Sequence, residues 1–576
     1  LSGTKSGDGI PGTFMNDAGG FYDLSQNPVA KGTNITLLEI PDTVPPYFVE
    51  VSLDLGTGIM LLTASETLKL VSGHLVGPDP IAYDEKNLDI FLNLTDARIS
   101  NSSRWHTEEE TLAADYVALE AASFMPEFSL IVTVYLTEVQ RAQAVAISGQ
   151  PGGDGNASVL SLAEGALKDL EELRSNRTVG IPIVEFPDRV RPNLTAVILD
   201  YHSGIITFQM SETMDVIPPS NVRFDKLFIS NHSGNHTISL LGASVISQNG
   251  VNVSIRLSEY VRVKAVRTSS FPPNGDASAP VIDMGTGSFL DIGQNEIIGI
   301  DGIPLVEIPD AVSPLIESVS LNFSQGLLTF NFDETIDMTP LSRFNFSAFQ
   351  FANSTAISSP MFDLTELGGG VALISPGEDA VKLSLLLSED QRTELLKVSG
   401  VPGGDGMASA IGFETGAFVD LFLNPNIESS LHLIEFPDII PPALLSIEVH
   451  FGEGGVGCGF LRCALVTFTF SEYIHEDFAN VNLSRAFLGN DNLTNNVPLV
   501  GALVTNIFKY NLTVTLTELQ RVQLIGISGT PGGDRKTNES SNLFVESAAD
   551  AAVVGNFLDG FVLDRSGLPM RRVRGK

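Results

Sequence analysis

The chain has 576 residues, which at roughly 100–200 residues per domain corresponds to several domains. Its 33 Lys and Arg residues are outnumbered by 69 Asp and Glu residues, giving a formal net charge of −36, which excludes a nucleic-acid binder with the usual basic face and argues against docking on anionic membrane. The hydrophobic fraction of 43 % is that of a folded chain. No apolar run approaches the ~18–20 residues of a membrane helix, so we predict no membrane span in this chain.

A four-residue motif, Glu-x-Pro-Asp, recurs along the chain with a period of about 125 residues. Its copies begin at Glu39, Glu185, Glu307 and Glu435. Each copy is followed in the same order by an Asp/Ser-Glu-Thr/Tyr step, a Leu-Thr/Ser-Glu-x-x-Arg step, a Gly-rich loop and a closing aspartate. The predicted domains are the last part of an incomplete repeat at 1–38, repeat 1 with an insertion at 39–184, repeat 2 at 185–306, repeat 3 at 307–434, repeat 4 at 435–564, and a basic tail or linker at 565–576.

The first repeat shows the local pattern. Residues 51–55 alternate apolar and polar side chains and lead through glycines into a second alternating run, which predicts a β-hairpin. Residues 130–136 predict another strand. Thr137 is a typical helix N-cap, so we predict a short helix from Glu138 to about Ala146 that Gly149 ends. Short strands with Pro and Gly between them indicate a mainly β fold of tandem immunoglobulin-like β-sandwich repeats, each with a short helix.

Sequons of the form Asn-x-Ser/Thr are about threefold more frequent than the ~5 expected by chance. This excess predicts a secreted, N-glycosylated chain whose glycans keep these asparagines at the surface. The alternative is a Ser/Thr-rich surface without sugar. The sequons are at Asn34, Asn93, Asn101, Asn156, Asn176, Asn193, Asn231, Asn235, Asn252, Asn322, Asn345, Asn353, Asn482, Asn492, Asn511 and Asn538.

Two cysteines, Cys458 and Cys463, lie in an enlarged hairpin loop of repeat 4. In an oxidising compartment they are expected to form a disulfide across this loop. A free pair or half of a metal site is the alternative.

No catalytic motif is found, and chemistry repeated four times in tandem would be unusual, so we predict that the chain is not an enzyme. The repeated acids Asp42, Glu66, Asp154 and Asp169, with their counterparts, could meet at the end of each repeat and bind a structural Ca²⁺. The alternative is that the Asp of Pro-Gly-Gly-Asp forms only an Asx turn. Glu138 and Arg141, three residues apart on the helix, could likewise form only a local pair.

The motifs as a set resemble a known kind of module. Pro-Asp-x-x-x-Pro, followed by a strand ending in Thr-Phe-x-Phe-Ser-Glu, resembles the tandem immunoglobulin-like repeats of surface-layer proteins and adhesins. The Leu-Thr-Glu helix and the stretch from Gly416 to Asn424 are similar to repeats of large extracellular proteins of algae and other protists, including the mastigoneme glycoproteins that form hair-like filaments on flagella. The resemblance implies a structural role and no catalytic residues.

We therefore expect a structural subunit of an extracellular or cell-surface filament or coat, with N-linked glycans and with copies of itself or other filament subunits as partners. Residues 1–38 could complete the sandwich of a neighbour by strand donation, or continue a part of the chain that lies upstream. The alternative function is a calcium-dependent adhesin or a module that binds a glycan or a protein.

Overall fold

The computed structural model describes residues 9–69, 92–102, 116–124, 128–356, 360–367, 372–373, 379–452, 463–489, 495–528, 542–545 and 571–572. The chain divides into two compact units, Leu1–Pro309 and Asp310–Lys576.

The first unit opens with a two-stranded antiparallel sheet, β1 (Thr13–Asn16) and β2 (Gly32–Thr36). Between these strands Asp23 accepts hydrogen bonds from the backbone N–H groups of Ser25 and Asn27, at 2.9 and 2.8 Å, and from the Asn27 side chain at 2.9 Å. This is the closing-aspartate loop of a repeat, and the same arrangement recurs at Asp291 with Asn295.

Repeat 1 is a sandwich built from one eight-stranded sheet in the order β6-β5-β9-β10-β3-β4-β8-β7. The long strand β10 belongs to both halves, because its first part pairs antiparallel with β9 and its second part pairs parallel with β3. Residues from both halves enter one hydrophobic core. The elements are β3 (Phe48–Asp54), β4 (Ile59–Lys69), β5 (Ala97–Ser100), β6 (Tyr116–Ala118), β7 (Ser123–Phe124), β8 (Phe128–Tyr135), α1 (Glu138–Ala146), β9 (Val159–Leu162) and β10 (Thr178–Phe186).

Repeat 2 has the same strand order, β14-β13-β17-β18-β11-β12-β16-β15, with β18 in the place of β10. Its elements are β11 (Leu194–Asp200), β12 (Ile205–Met214), β13 (Leu227–Ser230), β14 (Ile238–Ser239), β15 (Ser244–Val245), β16 (Gly250–Arg256), α2 (Glu259–Arg267), β17 (Val281–Met284) and β18 (Ile300–Ile308).

In the second unit each repeat has two separate sheets. Repeat 3 has the sheets β23-β24-β20-β19-β27 and β22-β21-β25-β26. Its elements are β19 (Ile316–Asn322), β20 (Leu327–Ile336), β21 (Phe349–Ala352), β22 (Phe362–Asp363), β23 (Ala372–Leu373), β24 (Ala380–Leu386), α3 (Glu389–Lys397), β25 (Ala410–Phe413), β26 (Ser429–His432) and β27 (Ile434–Phe436).

Repeat 4 has the sheets β32-β33-β29-β28-β35 and β31-β30-β34. Its elements are β28 (Ala443–His450), β29 (Leu465–Phe470), β30 (Ala486–Gly489), β31 (Asn496–Pro498), β32 (Leu503–Phe508), β33 (Asn511–Thr515), α4 (Glu518–Gly526), β34 (Asn542–Val545) and β35 (Arg571–Arg572). Short 3₁₀ helices in the chain cover Leu94–Asp96, Pro219–Asn221, Phe224–Lys226, Leu341–Arg343, Phe346–Ala348, Phe478–Asn480 and Leu483–Arg485.

The predicted local elements form for the expected reasons. In β29 the alternate residues Val466, Phe468 and Phe470 are buried, as the period of a half-buried strand requires. Helix α1 begins with a capping box, in which Thr137 accepts from the Gln140 N–H and the Gln140 side chain accepts from the Thr137 N–H. The mainly β class of sandwiches with short helices is confirmed.

The last strand of a sandwich runs into the motif that opens the next repeat. Glu185 and Phe186 end β10 and pair with β3, two residues beyond the boundary predicted at 184. Pro187 and Asp188 follow directly. The segment from Pro187 is therefore the connection from repeat 1 to repeat 2, and the domain boundaries themselves stay predictions.

We expect the core phenylalanines to carry much of the stability of each sandwich. Phe330 is fully buried, with its ring 5.5 Å from that of Phe349. Phe330→Ala should lower the free energy of unfolding by about 3–5 kcal/mol, because it removes buried apolar surface and leaves a cavity. Urea unfolding measures this. Phe436→Ala, the same change at a half-exposed ring, is the control, and an equal loss in both variants would contradict this packing.

Candidate functional site

The most developed polar site of the chain surrounds Arg141, a residue of α1 that is only 3 % exposed. Its Nε and Nη2 donate to the two carboxylate oxygens of Glu138, each at 2.7 Å. The predicted i,i+3 pair therefore forms as a two-point contact on the helix.

The same guanidinium also bonds to the following repeat, which the prediction of a local pair did not include. Its Nη1 donates to Asp188 at 2.7 Å and its Nη2 donates to Glu212 at 3.0 Å. Nη1 also donates to the carbonyl of Leu55 in repeat 1, at 2.9 Å. Asp188 and Glu212 are both buried. One arginine thus joins repeats 1 and 2, and we call this arrangement the ionic joint.

Two further contacts complete the ionic joint. Glu138 accepts a hydrogen bond from the backbone N–H of Thr213 in repeat 2, at 2.7 Å. Ile292, beside the closing aspartate of repeat 2, packs against the hydrophobic core of repeat 1. Gly152 of the Gly-rich loop has φ +89°, and a Cβ there would lie 1.9 Å from the Ile292 carbonyl oxygen. The glycine is needed because the two backbones meet at this point.

The second unit contains an equivalent ionic joint between repeats 3 and 4. Arg392 donates to Glu389 on its own helix, to Asp438 at 2.7 Å and to Glu472 at 2.9 Å. It also donates to the Phe323 carbonyl at 2.8 Å, as Arg141 does to Leu55. Glu389 accepts from the backbone N–H of Tyr473 at 3.0 Å. The motif columns at these positions therefore have the same partners in both units.

The glutamate that begins the Glu-x-Pro-Asp motif is not part of the ionic joint and binds the Gly-rich loop instead. Glu185 accepts hydrogen bonds from the backbone N–H groups of Gly149 and Ser158, at 3.0 and 2.8 Å. Glu435 does the same for Gly400 and Ser409, at 2.8 and 2.9 Å. Each glutamate thereby holds both ends of the Gly-rich loop, and that loop in repeat 1 contacts the next repeat through Gly152.

The ionic joint around Arg141 contains more carboxyl groups than one guanidinium can neutralise. Burial raises the pKa of Glu212 to about 8, although Arg141 opposes the shift, and burial also raises the pKa of Asp291 to about 6. Burial acts in the same direction on Glu138, but its hydrogen bonds from Arg141 and Thr213 prevail and lower its pKa. The pKa of Arg141 is raised by the surrounding carboxylates against its own burial, so the guanidinium stays charged.

Only some of the acidic residues that were expected to meet at the end of a repeat lie close together. Asp42, Glu66 and Asp169 place oxygen atoms within 4.8 Å of one another, as do Asp188, Glu212 and Asp291. In the second group Arg141 already binds two of the three carboxylates. Calcium binding stays a prediction.

Asp154 does not join the acids, which is a correction to the expectation that all four could meet. It accepts a hydrogen bond from the Asn101 side chain and one from the Asn156 N–H, the latter at 2.9 Å. The Pro-Gly-Gly-Asp aspartate therefore forms an Asx turn, as the alternative interpretation held.

The described sequon asparagines all reach the surface, and none is buried. Those exposed are Asn34, Asn156, Asn176, Asn193, Asn235, Asn252, Asn345 and Asn482, and those half-buried are Asn93, Asn101, Asn231, Asn322, Asn353 and Asn511. Asn492 and Asn538 lie outside the described residues. Glycosylation at all sixteen positions stays a prediction.

Cys463 is buried and disulfide-bonded. Cys458 lies outside the described residues, so their pairing stays a prediction. Among the described residues, no helix has the length and apolar character needed to cross a membrane.

Sequence reasoning missed the bonds of Arg141 to Asp188 and Glu212, although it singled out all three motif columns. The signal that could have found them is the matched order of the columns. Three of these arginines, each three residues after a Leu-Thr/Ser-Glu glutamate, are followed in the next repeat by one motif Asp and one motif Glu: Arg141, Arg262 and Arg392.

No model of a known protein family matches the chain, and no curated protein matches it. Among solved structures it is similar to domains 1–6 of the surface-layer protein SbsC, at 12 % identity and TM-score 0.15 over 57 % of this chain and 51 % of that one. A second SbsC structure matches at 10 % identity and TM-score 0.14, over 82 % of this chain and 51 % of that one.

A marsupial T cell receptor matches at 11 % identity and TM-score 0.13, over 57 % of this chain and 93 % of that one. The chain spans about half the length of the surface-layer structures it matches.

Removing the guanidinium should weaken the ionic joint. Arg141→Met should lower the free energy of unfolding by about 3–5 kcal/mol, because the buried side chains of Asp188 and Glu212 lose the guanidinium that donates hydrogen bonds to them. Calorimetry of the unfolding transition measures this. Arg521→Met is the matched control, since Arg521 of α4 bonds to Glu518 alone among the described residues. Its midpoint should stay close to that of the parent, and equal effects in both variants would contradict the ionic joint.

The same acids predict a pH dependence. In the folded chain Glu212 and Asp291 keep their protons to higher pH than in the unfolded chain, so the folded state binds more protons and the free energy of unfolding falls as pH rises. The Asp291 contribution is lost as pH rises from about 4 through about 6, and that of Glu212 from about 4.5 through about 8.

Urea unfolding at about pH 5 and about pH 8 measures this slope. Glu212→Gln should flatten it, because glutamine is neutral throughout. Glu317→Gln, at an exposed position, should keep the slope of the parent. Stability of the parent that rises with pH in this range, or an equal slope in Glu212→Gln, would contradict a raised pKa of Glu212 in the folded chain.

Proposed function

We propose that the chain is a structural subunit of an extracellular, N-glycosylated filament or surface coat and that it has no catalytic activity. The observation that carries the proposal is the ionic joint, which occurs with the same residue types around Arg141 in one unit and Arg392 in the other. The most elaborate polar chemistry of the described residues thus connects one sandwich to the next.

The geometry of the ionic joint supports a mechanical role. A guanidinium with bonds to four separate groups has a fixed orientation, since each acceptor constrains one N–H direction. The acceptors belong to two sandwiches, so rotating one repeat against the next would break several bonds at once. Such contacts are expected between repeats whose relative orientation has to stay fixed.

The surface supports a coat or filament as well. The net charge of −36 keeps such an acidic chain solvated. Sequons occur in every repeat, and glycans at the exposed ones would cover strand edges that could otherwise pair with foreign strands. The finer assignment, a mastigoneme-like filament protein, rests on the resemblance of the repeat motifs.

Electron microscopy of the native material tests the structural role. Regular fibres or a layer that contain the chain, recognised by antibody labelling, are expected. Dispersed monomers that bind a glycan or a protein partner in a calcium-dependent way would favour the adhesin instead. Turnover of a polysaccharide or a peptide by the purified chain would contradict the absence of catalysis.

Glycosylation gives a test at single residues. Expressed through a eukaryotic secretory pathway, the chain should lose mass on enzymatic removal of N-glycans, and Asn193 should be occupied because it is exposed. Asn193→Gln should remove one glycan from the intact mass. Thr195→Ser preserves the sequon and should retain the glycan. A parent chain that carries no N-glycan at any sequon would contradict a glycosylated coat.

A further inference from the structure

A groove lies beside the ionic joint of the first unit, between helix α1 of repeat 1 and the start of strand β16 of repeat 2. Its volume is about 620 Å³, which is within the usual range for ligand pockets. Repeat 1 contributes Val139, Ala142 and Ala146 to its lining, and repeat 2 contributes Val251 and Ile292. We call it the joint groove. Val139 is 66 % exposed, so an apolar occupant would remove apolar surface of both repeats from water.

One residue that lines the joint groove is a candidate for glycosylation. Asn252, in β16, is exposed and begins the sequon Asn252-Val253-Ser254. The first sugar of an N-linked glycan is N-acetylglucosamine, which has an apolar ring face and a methyl group as well as hydroxyl groups and an amide. Gln143 and Gln248 are exposed and also line the groove, and their amides can donate and accept hydrogen bonds. The lining therefore has the apolar and polar parts that this sugar needs.

The same sequon position recurs at the other described joint. Asn511 of β33 precedes α4 by as many residues as Asn252 precedes α2, and each lies in the repeat that follows an ionic joint. Repeats 1 and 3 have Ile131 and Lys382 at this position. The sequon thus occurs at one structural position beside both ionic joints.

At the joint of repeats 3 and 4, protein side chains bridge the corresponding positions. Tyr473 is the equivalent of Thr213, because its N–H donates to the helix glutamate in the same way. The Tyr473 hydroxyl and the Lys509 ammonium group both donate to Asp390 of α3, the latter at 2.9 Å. Asp390 follows its helix glutamate as Val139 does in α1. Thr213 and Val139 cannot form this bridge, which leaves the joint groove between repeats 1 and 2.

We propose that an N-glycan on Asn252 occupies the joint groove, with its first N-acetylglucosamine packed against Val139 of repeat 1. The glycan is the occupant because it is attached to a residue of the lining, so its effective concentration in the groove is high. A sugar carried by repeat 2 then contacts the helix of repeat 1 and stabilises the arrangement of the ionic joint. The inference deepens the proposed function and rests on its N-glycosylation.

Removal of this single glycan tests the inference in the full chain from a eukaryotic secretory pathway. Asn252→Gln should lower the melting temperature by about 2–4 °C, because repeats 1 and 2 lose a contact between them. Asn193→Gln removes the glycan of an exposed sequon outside the joint groove and should leave the melting temperature unchanged. In chain produced without N-glycans in the bacterial periplasm, both substitutions should have no effect, which separates the sugar from the asparagine side chain.

A substitution in repeat 1 tests the other side of the contact. Val139→Ser should lower the melting temperature of the glycosylated chain, and it should add little to Asn252→Gln, because both changes remove the same contact. In the chain without glycans Val139→Ser should have little effect, since this side chain is mostly exposed. Shifts of the two substitutions that simply add would contradict a contact between the sugar and Val139.

Enzymatic trimming gives a readout that general stabilisation by glycans would not change. An endoglycosidase should remove the glycan of Asn252 from the folded chain several-fold more slowly than that of Asn193. After unfolding in urea the two rates should be equal. Mass spectrometry of the two glycopeptides measures both rates.

Other results would overturn the inference. These are an unoccupied Asn252 in a chain glycosylated at other sequons, a melting temperature insensitive to Asn252→Gln, and trimming at Asn252 as fast as at Asn193. Another is an apolar small molecule or a second copy of the chain that native mass spectrometry finds bound to the glycosylated chain and that Val139→Ser releases. Each of these would leave the glycosylated coat intact, whereas a chain without any N-glycan would contradict the proposed function as well.

Discussion

The arrangement of successive repeats depends on one buried guanidinium at each described joint. Arg141 and Arg392 each bind a glutamate of their own helix and two acids of the next repeat. Taking these charges out of water is costly, and the cost is offset only while every acceptor is in place. The ionic joint therefore favours one relative orientation of the two repeats that it connects. It fixes this orientation more than it adds to the free energy of unfolding.

Each of the repeating motifs has a different part in the ionic joint. The Leu-Thr-Glu-x-x-Arg helix supplies the cation, and the Pro-Asp and Ser-Glu-Thr steps of the following repeat supply the anions. The opening glutamate of the motif, at Glu185 and Glu435, holds the Gly-rich loop. The motifs of one repeat therefore belong to two different joints. Its acids bind the arginine of the preceding repeat, and its own arginine binds the acids of the following repeat.

The fold could be predicted from local signals, and the site only in part. The alternation of β29 and the N-cap at Thr137 are short-range patterns, and each determines its own element. The bond from Arg141 to Glu212 joins residues 71 positions apart, so no local pattern encodes it. Asp154 was grouped with the other acids by charge, but its position in a tight turn directs its carboxylate to Asn101 and its own loop.

The parallel pairing of the first and last strands has a mechanical consequence. In repeat 1 the chain enters along β3 and leaves along β10, and the two strands run side by side in the same direction. Tension applied at the two ends of the repeat therefore pulls these strands past each other in shear. The hydrogen bonds between them share the load and must fail together, whereas strands peeled apart lose bonds one by one. The same pairing links β11 with β18 and β19 with β27, so these sandwiches resist stretching in the direction in which they are connected.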